Sequence, residues 1–140
     1  MGTKSIMRIL LIVLEAFLGL TAQAGGIGLL AGTSRPPLAL LQGSPFSSYT
    51  IPGLVLLVIV GGSALAATIL LLRQHTVGTL VSMVAGAMIV GFEMVEVLVV
   101  GSDPGVARTL QVFYFTLGLV IVVLSGGLWV TAHAMQSRNS

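Results

Sequence analysis

The segment Gly86-Ala-Met-Ile-Val-Gly-Phe-Glu-Met-Val-Glu-Val-Leu-Val-Val-Gly101 sets two carboxyl groups, Glu93 and Glu96, inside an otherwise apolar run. With the apolar residues that lead into it from Val77, the run is long enough to cross a bilayer, which takes about 20 residues. Ionisable groups at membrane depth are costly and usually turn toward a bundle interior, a cavity or a partner. Three of the four acidic residues, Glu15, Glu93 and Glu96, lie in runs of this kind. The fold must therefore shield them from hydrocarbon.

Only 7% of the residues are charged and 56% are apolar, whereas soluble domains carry roughly 25% charged residues. A water-facing surface cannot be built from this chain. Six Lys and Arg against four acids are too few for the clustered basic patch of a nucleic-acid binder, so no nucleic-acid partner is expected. The absence of cysteine excludes disulfides, thiolate metal sites and thiol catalysis.

Four apolar runs predict four transmembrane spans, over about 9–32, 51–73, 77–101 and 108–132, within a single domain covering 1–140. The expected fold class is therefore all-α, a polytopic membrane protein built as a bundle of four transmembrane helices. The first run could also be read as a signal peptide, with Lys4 and Arg8 before Ile9–Leu20 and Ala22-Gln-Ala24 as the cleavage site. Glu15 inside that short segment and the apolar continuation Gly25–Ala31 argue against it. Pro36-Pro37 interrupts helix after the first span, and Leu38–Leu41 reads as one interfacial turn. Phe46 and Tyr49 suit the headgroup region, and Pro52 suits the first turn of the next helix. Asp103-Pro-Gly105 marks the last turn. The tail from His133 is polar and expected to fray.

Four crossings place both termini on one side. That side holds Lys4, Arg8, Arg73 and Arg138, against Arg35 and Arg108 on the other, which favours cytoplasmic termini. The expected location is a bacterial cytoplasmic membrane, crossed several times. The bilayer is the first partner expected, with self-association or a larger membrane complex open beside it. Gly78, Ser82 and Gly86 recur every four residues on the third span, and Gly28 and Gly32 on the first. Small residues at that spacing let helices approach closely in lipid. The steps 82, 86, 89, 93, 96 alternate four and three, so the face that packs closely at one end becomes acidic at the other.

Gln23, Arg108, Gln111 and Tyr114 should fall near the depth of Glu93 and Glu96 and form a polar intramembrane cluster with them. The short 102–107 turn makes an ion pair between Glu96 and Arg108 geometrically easy. Such a cluster could be purely structural, or it could be a ligand or transport site. Glu15 lies nearer mid-depth, about 10 Å beyond Arg8 at 1.5 Å per residue. It is the candidate proton site, or else a hydrogen-bond donor joining two helices.

No cofactor is expected. His75 and His133 sit at helix ends rather than facing each other across a haem. Glu93-x-x-Glu96 lacks the Glu-x-x-His of a di-iron bundle, and no catalytic metal set is visible. Gly25-Gly-Ile-Gly28 has no strand before it, so it is no phosphate loop. Ser63 and Ser125 have no histidine at their depth, so no catalytic residues are assigned.

The residues Ser44-Pro45-Phe46, Tyr49, Pro52-Gly53-Leu54, Leu70-Leu-Leu72-Arg73, Gly86, Gln111, Tyr114-Phe115 and Gly118 resemble those of a group of small bacterial four-span membrane proteins, loosely DoxX-like, with no assigned activity. In that group the equivalent of Glu96 is Gln or Glu, whereas Glu93 is a departure. The resemblance implies a hydrogen-bonding role for Glu96. In outline the chain is also similar to small multidrug transporters, which carry one glutamate in the first of four helices, but their aromatic and lysine signatures are missing. The expected function is accordingly a non-enzymatic accessory or scaffold subunit of a membrane assembly. The alternative is a small proton-coupled exporter acting as a dimer through Glu15.

Overall fold

Four long helices form, because each apolar run must satisfy its own backbone hydrogen bonds once water is gone. The computed structural model describes residues 2–33 and 36–138, the stretch 135–138 by its backbone alone. Arg35 and the Arg138 side chain, both counted above for orientation, lie outside what is described. The helices are α1 (Thr3–Ala31), α2 (Thr50–Leu72), α3 (Gly78–Val100) and α4 (Val106–Arg138). All four are long and apolar enough to cross a membrane.

Two helices overrun the expected spans. Hydropathy reports only the stretch that lipid must cover, whereas helix propagates through any residue of adequate propensity. Thus α1 already starts at Thr3 and runs 29 residues, about 43 Å at 1.5 Å per residue. The backbone of α4 continues to Arg138, through the described part of the tail that was expected to fray.

Consecutive helices run antiparallel, and each packs on the next around a square. Here α1 borders α2 and α4, α3 borders α2 and α4, and α2 makes no packing contact with α4 among the described residues. The core column comprises Leu11, Leu18, Ala22, Val60, Ala64, Leu71, Ala85, Ile89, Leu117, Ile121 and Leu128. The start of α1, the end of α4 and the 73–77 turn lie at one end, called proximal here. The long 32–49 connection and the 101–105 turn lie at the other, distal end.

Small residues set the helix approaches, as expected in lipid, but mostly at positions other than the spaced glycines. On the α3–α4 seam a Cβ on Gly118 would stand 2.9 Å from the Gly86 carbonyl oxygen and 2.6 Å from an Ile89 methyl. On the α1–α2 seam Gly26 lies against the Gly53 carbonyl and the Leu57 backbone, and Gly19 against Leu65. Gly86 belongs to the predicted stripe; Gly19, Gly26 and Gly53 do not.

The turns follow from local chemistry. α2 ends in a Schellman arrangement: the His75 N–H donates to the Leu70 carbonyl and the Gln74 N–H to that of Leu71. The left-handed residue is Gln74, at φ 54. Leu38–Leu41 forms a 3₁₀ turn, where one interfacial turn was expected. Tyr49 ties this connection down by donating its hydroxyl to the Pro37 carbonyl at 3.1 Å. Within α2, Val55–Val60 is a π-helical segment, a feature with no signal in a run of aliphatic residues. Such segments are rare and often sit beside functional sites.

Candidate ligand cavity at the distal end

At the distal end of the bundle lie two adjoining cavities, each partly open to its surroundings. The first, about 400 Å³, lies between α2 and α3 beneath the 36–49 connection. Its walls include Leu41, Phe46, Tyr49, Val55, Met88 and Phe92. The second, about 460 Å³, lies between α1, α3 and α4, with Leu18, Ala22, Ile89, Leu110, Gln111 and Tyr114 among its lining residues. Leu29, Pro36, Phe92, Glu96 and Val100 border both cavities, Phe92 and Glu96 standing between them on one face of α3. The π-helical segment contributes Val55, Ile59 and Val60 to one wall and Leu56 to the other.

The face of α3 predicted from the 82, 86, 89, 93, 96 steps is the face turned inward. Ser82, Gly86, Ile89 and Glu93 are buried, and Glu96 is half-buried. Glu93 retains 7% of its exposure and lines the second cavity, where its carboxyl lies within hydrogen-bonding reach of that of Glu96. The other Glu93 oxygen, Oε2, is buried with no hydrogen-bond partner.

Gln111 reaches the same cavity from the first turns of α4, at 6% exposure. Its Nε2 donates to the Gly101 carbonyl at 2.9 Å, and its Oε1 is buried without a partner. Tyr114 lines the cavity one turn deeper, its ring stacked on Phe17 of α1 at 6.4 Å between centroids and edge-on to Phe113 at 5.1 Å. Asp103 stands in the turn that forms part of the rim.

Two members of the expected cluster lie elsewhere. Arg108 is exposed; its guanidinium donates to the Ser102 carbonyl at 2.6 Å and to the Ser102 hydroxyl at 3.4 Å. The expected Glu96–Arg108 ion pair is therefore not made, because a backbone acceptor within the same turn is nearer and wetter than a carboxyl in the cavity wall. Gln23 faces α2 rather than the cavity and donates from Nε2 to the Leu57 carbonyl at 2.9 Å, in the middle of the π-helical segment. A gap in that ladder beside Gly61, whose missing side chain leaves room for the Gln23 amide, captures it. Thr21, Phe92 and Asp103 line the second cavity and were not anticipated. Only the position of Phe92, directly before Glu93, could have suggested one of them.

Glu15 is fully buried in the core column between Leu11 and Leu18, and neither of its carboxyl oxygens has a hydrogen-bond partner. The helix-joining hydrogen bond offered as one reading is absent. By helix spacing Glu15 sits about one turn proximal to Leu18, which lines the second cavity while Glu15 does not. No family model, curated protein or solved structure matches this chain.

Proposed function

We propose that this chain is a non-enzymatic membrane protein that holds a small apolar ligand in its distal cavities, as an accessory component of a larger membrane assembly. The observation that carries the reading is the pair of adjoining, apolar-walled cavities that share Phe92 and Glu96. Ligand sites are concave, mostly apolar and furnished with few polar groups, and volumes of about 300–1,000 Å³ are typical. The excess of Lys and Arg on the proximal side supports cytoplasmic termini in a bacterial inner membrane, with the cavities open toward the outer leaflet. Mild-detergent extraction followed by native mass analysis tests the reading. A retained small molecule or lipid, with or without a larger partner, is the expected result. A chain that emerges alone and takes up no added apolar ligand would overturn it.

One observation favours a second reading, a proton-coupled exporter working through Glu15. A fully buried carboxyl with no partner costs stability, and native chains rarely carry such a group without a use for it. The two readings part on whether Glu15→Gln removes a substrate flux.

A further inference from the structure

The ligand's chemistry can be narrowed by asking which hydrogen-bonding roles the cavity leaves open. Among the described residues, the polar side chains on the second cavity are Glu93, Glu96, Asp103, Gln111, Thr21 and Tyr114. The two that are more than nine-tenths buried each keep an unpartnered oxygen, Glu93 Oε2 and Gln111 Oε1. One of the two Gln111 N–H donors is engaged by Gly101, and the nearest cation of α4, Arg108, is held by Ser102. Thr21 donates to the Phe17 carbonyl on its own helix at 2.8 Å. The wall therefore offers three carboxyl groups and two buried unpartnered oxygens against two donors, the Tyr114 hydroxyl and the second Gln111 N–H, and no described cation lines it. Buried acceptors without donors are a standing cost, which a ligand bearing N–H groups would relieve.

We infer that the second cavity takes an apolar molecule that ends in a protonated amine. The inference rests on the ligand-holding reading above and deepens it. A headgroup that carries negative charge and no ammonium would be repelled by Glu93, Glu96 and Asp103. A hydroxyl has one proton to offer two orphan oxygens, and a quaternary ammonium has none. An ammonium has up to three donors, and its positive charge suits a wall that carries Glu93, Glu96 and Asp103 and no described cation. Both orphan oxygens carry almost no exposed surface, so engaging them requires a turn about the terminal torsion of Glu93 or Gln111. The Glu93 torsion is broad and cheap to move, whereas turning Gln111 gives up its bond to Gly101. Asp103 on the rim would draw the cation in, and the apolar body would lie along Leu110, Leu18 and Ile89, beneath the 36–49 connection. The amine could belong to a free lipophilic amine or to an aminophospholipid headgroup, and the binding chemistry is the same.

The test is equilibrium binding of decylammonium to the full chain in phosphatidylcholine nanodiscs, corrected for partition into empty discs. Decan-1-ol and decyltrimethylammonium serve as the neutral and donor-free counterparts. Saturable decylammonium binding is expected, at least tenfold tighter than either counterpart and at least tenfold weaker in Glu93→Gln. Should Glu93→Gln fold poorly by thermal unfolding, Glu96→Gln, at a half-buried position, carries the same expectation. Equal affinity for decan-1-ol or decyltrimethylammonium, or indifference to both substitutions in folded protein, overturns the amine while leaving an apolar-ligand cavity standing. Absence of saturable binding by all three probes overturns both. Adding phosphatidylethanolamine to the discs separates the sources: displacement of decylammonium assigns the lipid headgroup, and lack of displacement assigns a free amine.

Discussion

Gln111 donates its amide to the carbonyl of Gly101, 2.9 Å away, rather than to Glu96. That bond closes the α3–α4 turn at a residue only glycine suits, since Gly101 has φ 79 and ψ −171, far from the regions open to other residues. It also leaves the remaining amide oxygen buried without a partner, beside a cavity whose other polar groups are three carboxyls, Thr21 and Tyr114. One side chain thus sets both the geometry of the turn and the hydrogen-bonding character of the cavity.

Substitutions at Gln111 should separate these roles. Gln111→Leu loses a hydrogen bond of about 1 kcal/mol but also removes an orphan acceptor of similar cost, so the thermal midpoint should move little. Gln111→Glu loses the donor and adds an acid to a wall that already holds Glu93 and Glu96. It should destabilise by about 2–3 kcal/mol, the cost of an unpaired charged group in a buried site. Thermal unfolding in one detergent compares the two, and equal effects would show that the Gly101 bond is not what matters.

The α3–α4 crossing makes a second prediction. A Cβ at Gly118 would meet the Gly86 carbonyl and Ile89, neither of which can swing away cheaply. Gly118→Ala should cost about 1–3 kcal/mol as an overpacking change. Gly62→Ala and Gly91→Ala, at positions with nothing within 4 Å of the added methyl, should be neutral or stabilising by up to about 1 kcal/mol. Equal losses at all three positions would remove the crossing as the cause.

Membrane orientation can be tested directly because the chain has no cysteine. Cysteines introduced at Ser47 and Ser137 should label from opposite sides of intact cells, Ser47 from outside and Ser137 only after permeabilisation. The reverse pattern would turn the cavities toward the cytoplasmic leaflet.

Much of this architecture is legible in the residues themselves. Four apolar runs and the proline and glycine punctuation determine the four helices, and the alternating steps from Ser82 to Glu96 identify the buried face of α3. Pairwise seams are less legible. Eighteen glycines are too many for spacing to tell which of them touch a neighbour, and contact at Gly26 or Gly118 depends on the facing helix. The cluster was half read, because Arg108 and Gln23 were placed by depth alone. Depth does not reveal that Ser102 and Leu57 offer nearer backbone acceptors. The π-helical segment and the cavities it borders are properties of backbone register and have no counterpart in composition.

The α2–α3 turn carries a correctable cost. Gln74 holds φ 54 at the left-handed position of a Schellman ending, where glycine is the ordinary occupant. A left-handed residue with a Cβ costs about 1–2 kcal/mol. Gln74→Gly gives back part of that in unfolded-chain entropy, so a gain of up to about 1 kcal/mol is expected. Denaturant or thermal unfolding reads it, and a loss of stability would mean that the Gln74 side chain contributes something its backbone does not reveal.

Glu15 gives the sharpest test, because the structure reverses the sign expected of a helix-joining carboxyl. Had it bonded across helices, its replacement by an apolar residue would loosen the bundle by about 1 kcal/mol. Instead both oxygens lie unpartnered in the core column beside Leu11 and Leu18. Replacing a buried polar group that has no partner by an apolar one of similar shape removes a desolvation penalty of about 1–3 kcal/mol. Methionine is the nearest apolar match in length and flexibility, and it adapts to irregular space. Glu15→Met should therefore raise the thermal midpoint, whereas Glu15→Gln, which keeps a buried polar group without a partner, should not. If Glu15 has no transport role, both variants will leave the flux of any exported substrate unchanged. A stabilised Glu15→Met protein that has lost a substrate flux, together with a Glu15→Gln protein that folds normally and has lost it too, would establish the exporter. A destabilised Glu15→Met protein would instead show that the carboxyl has a partner in the membrane after all.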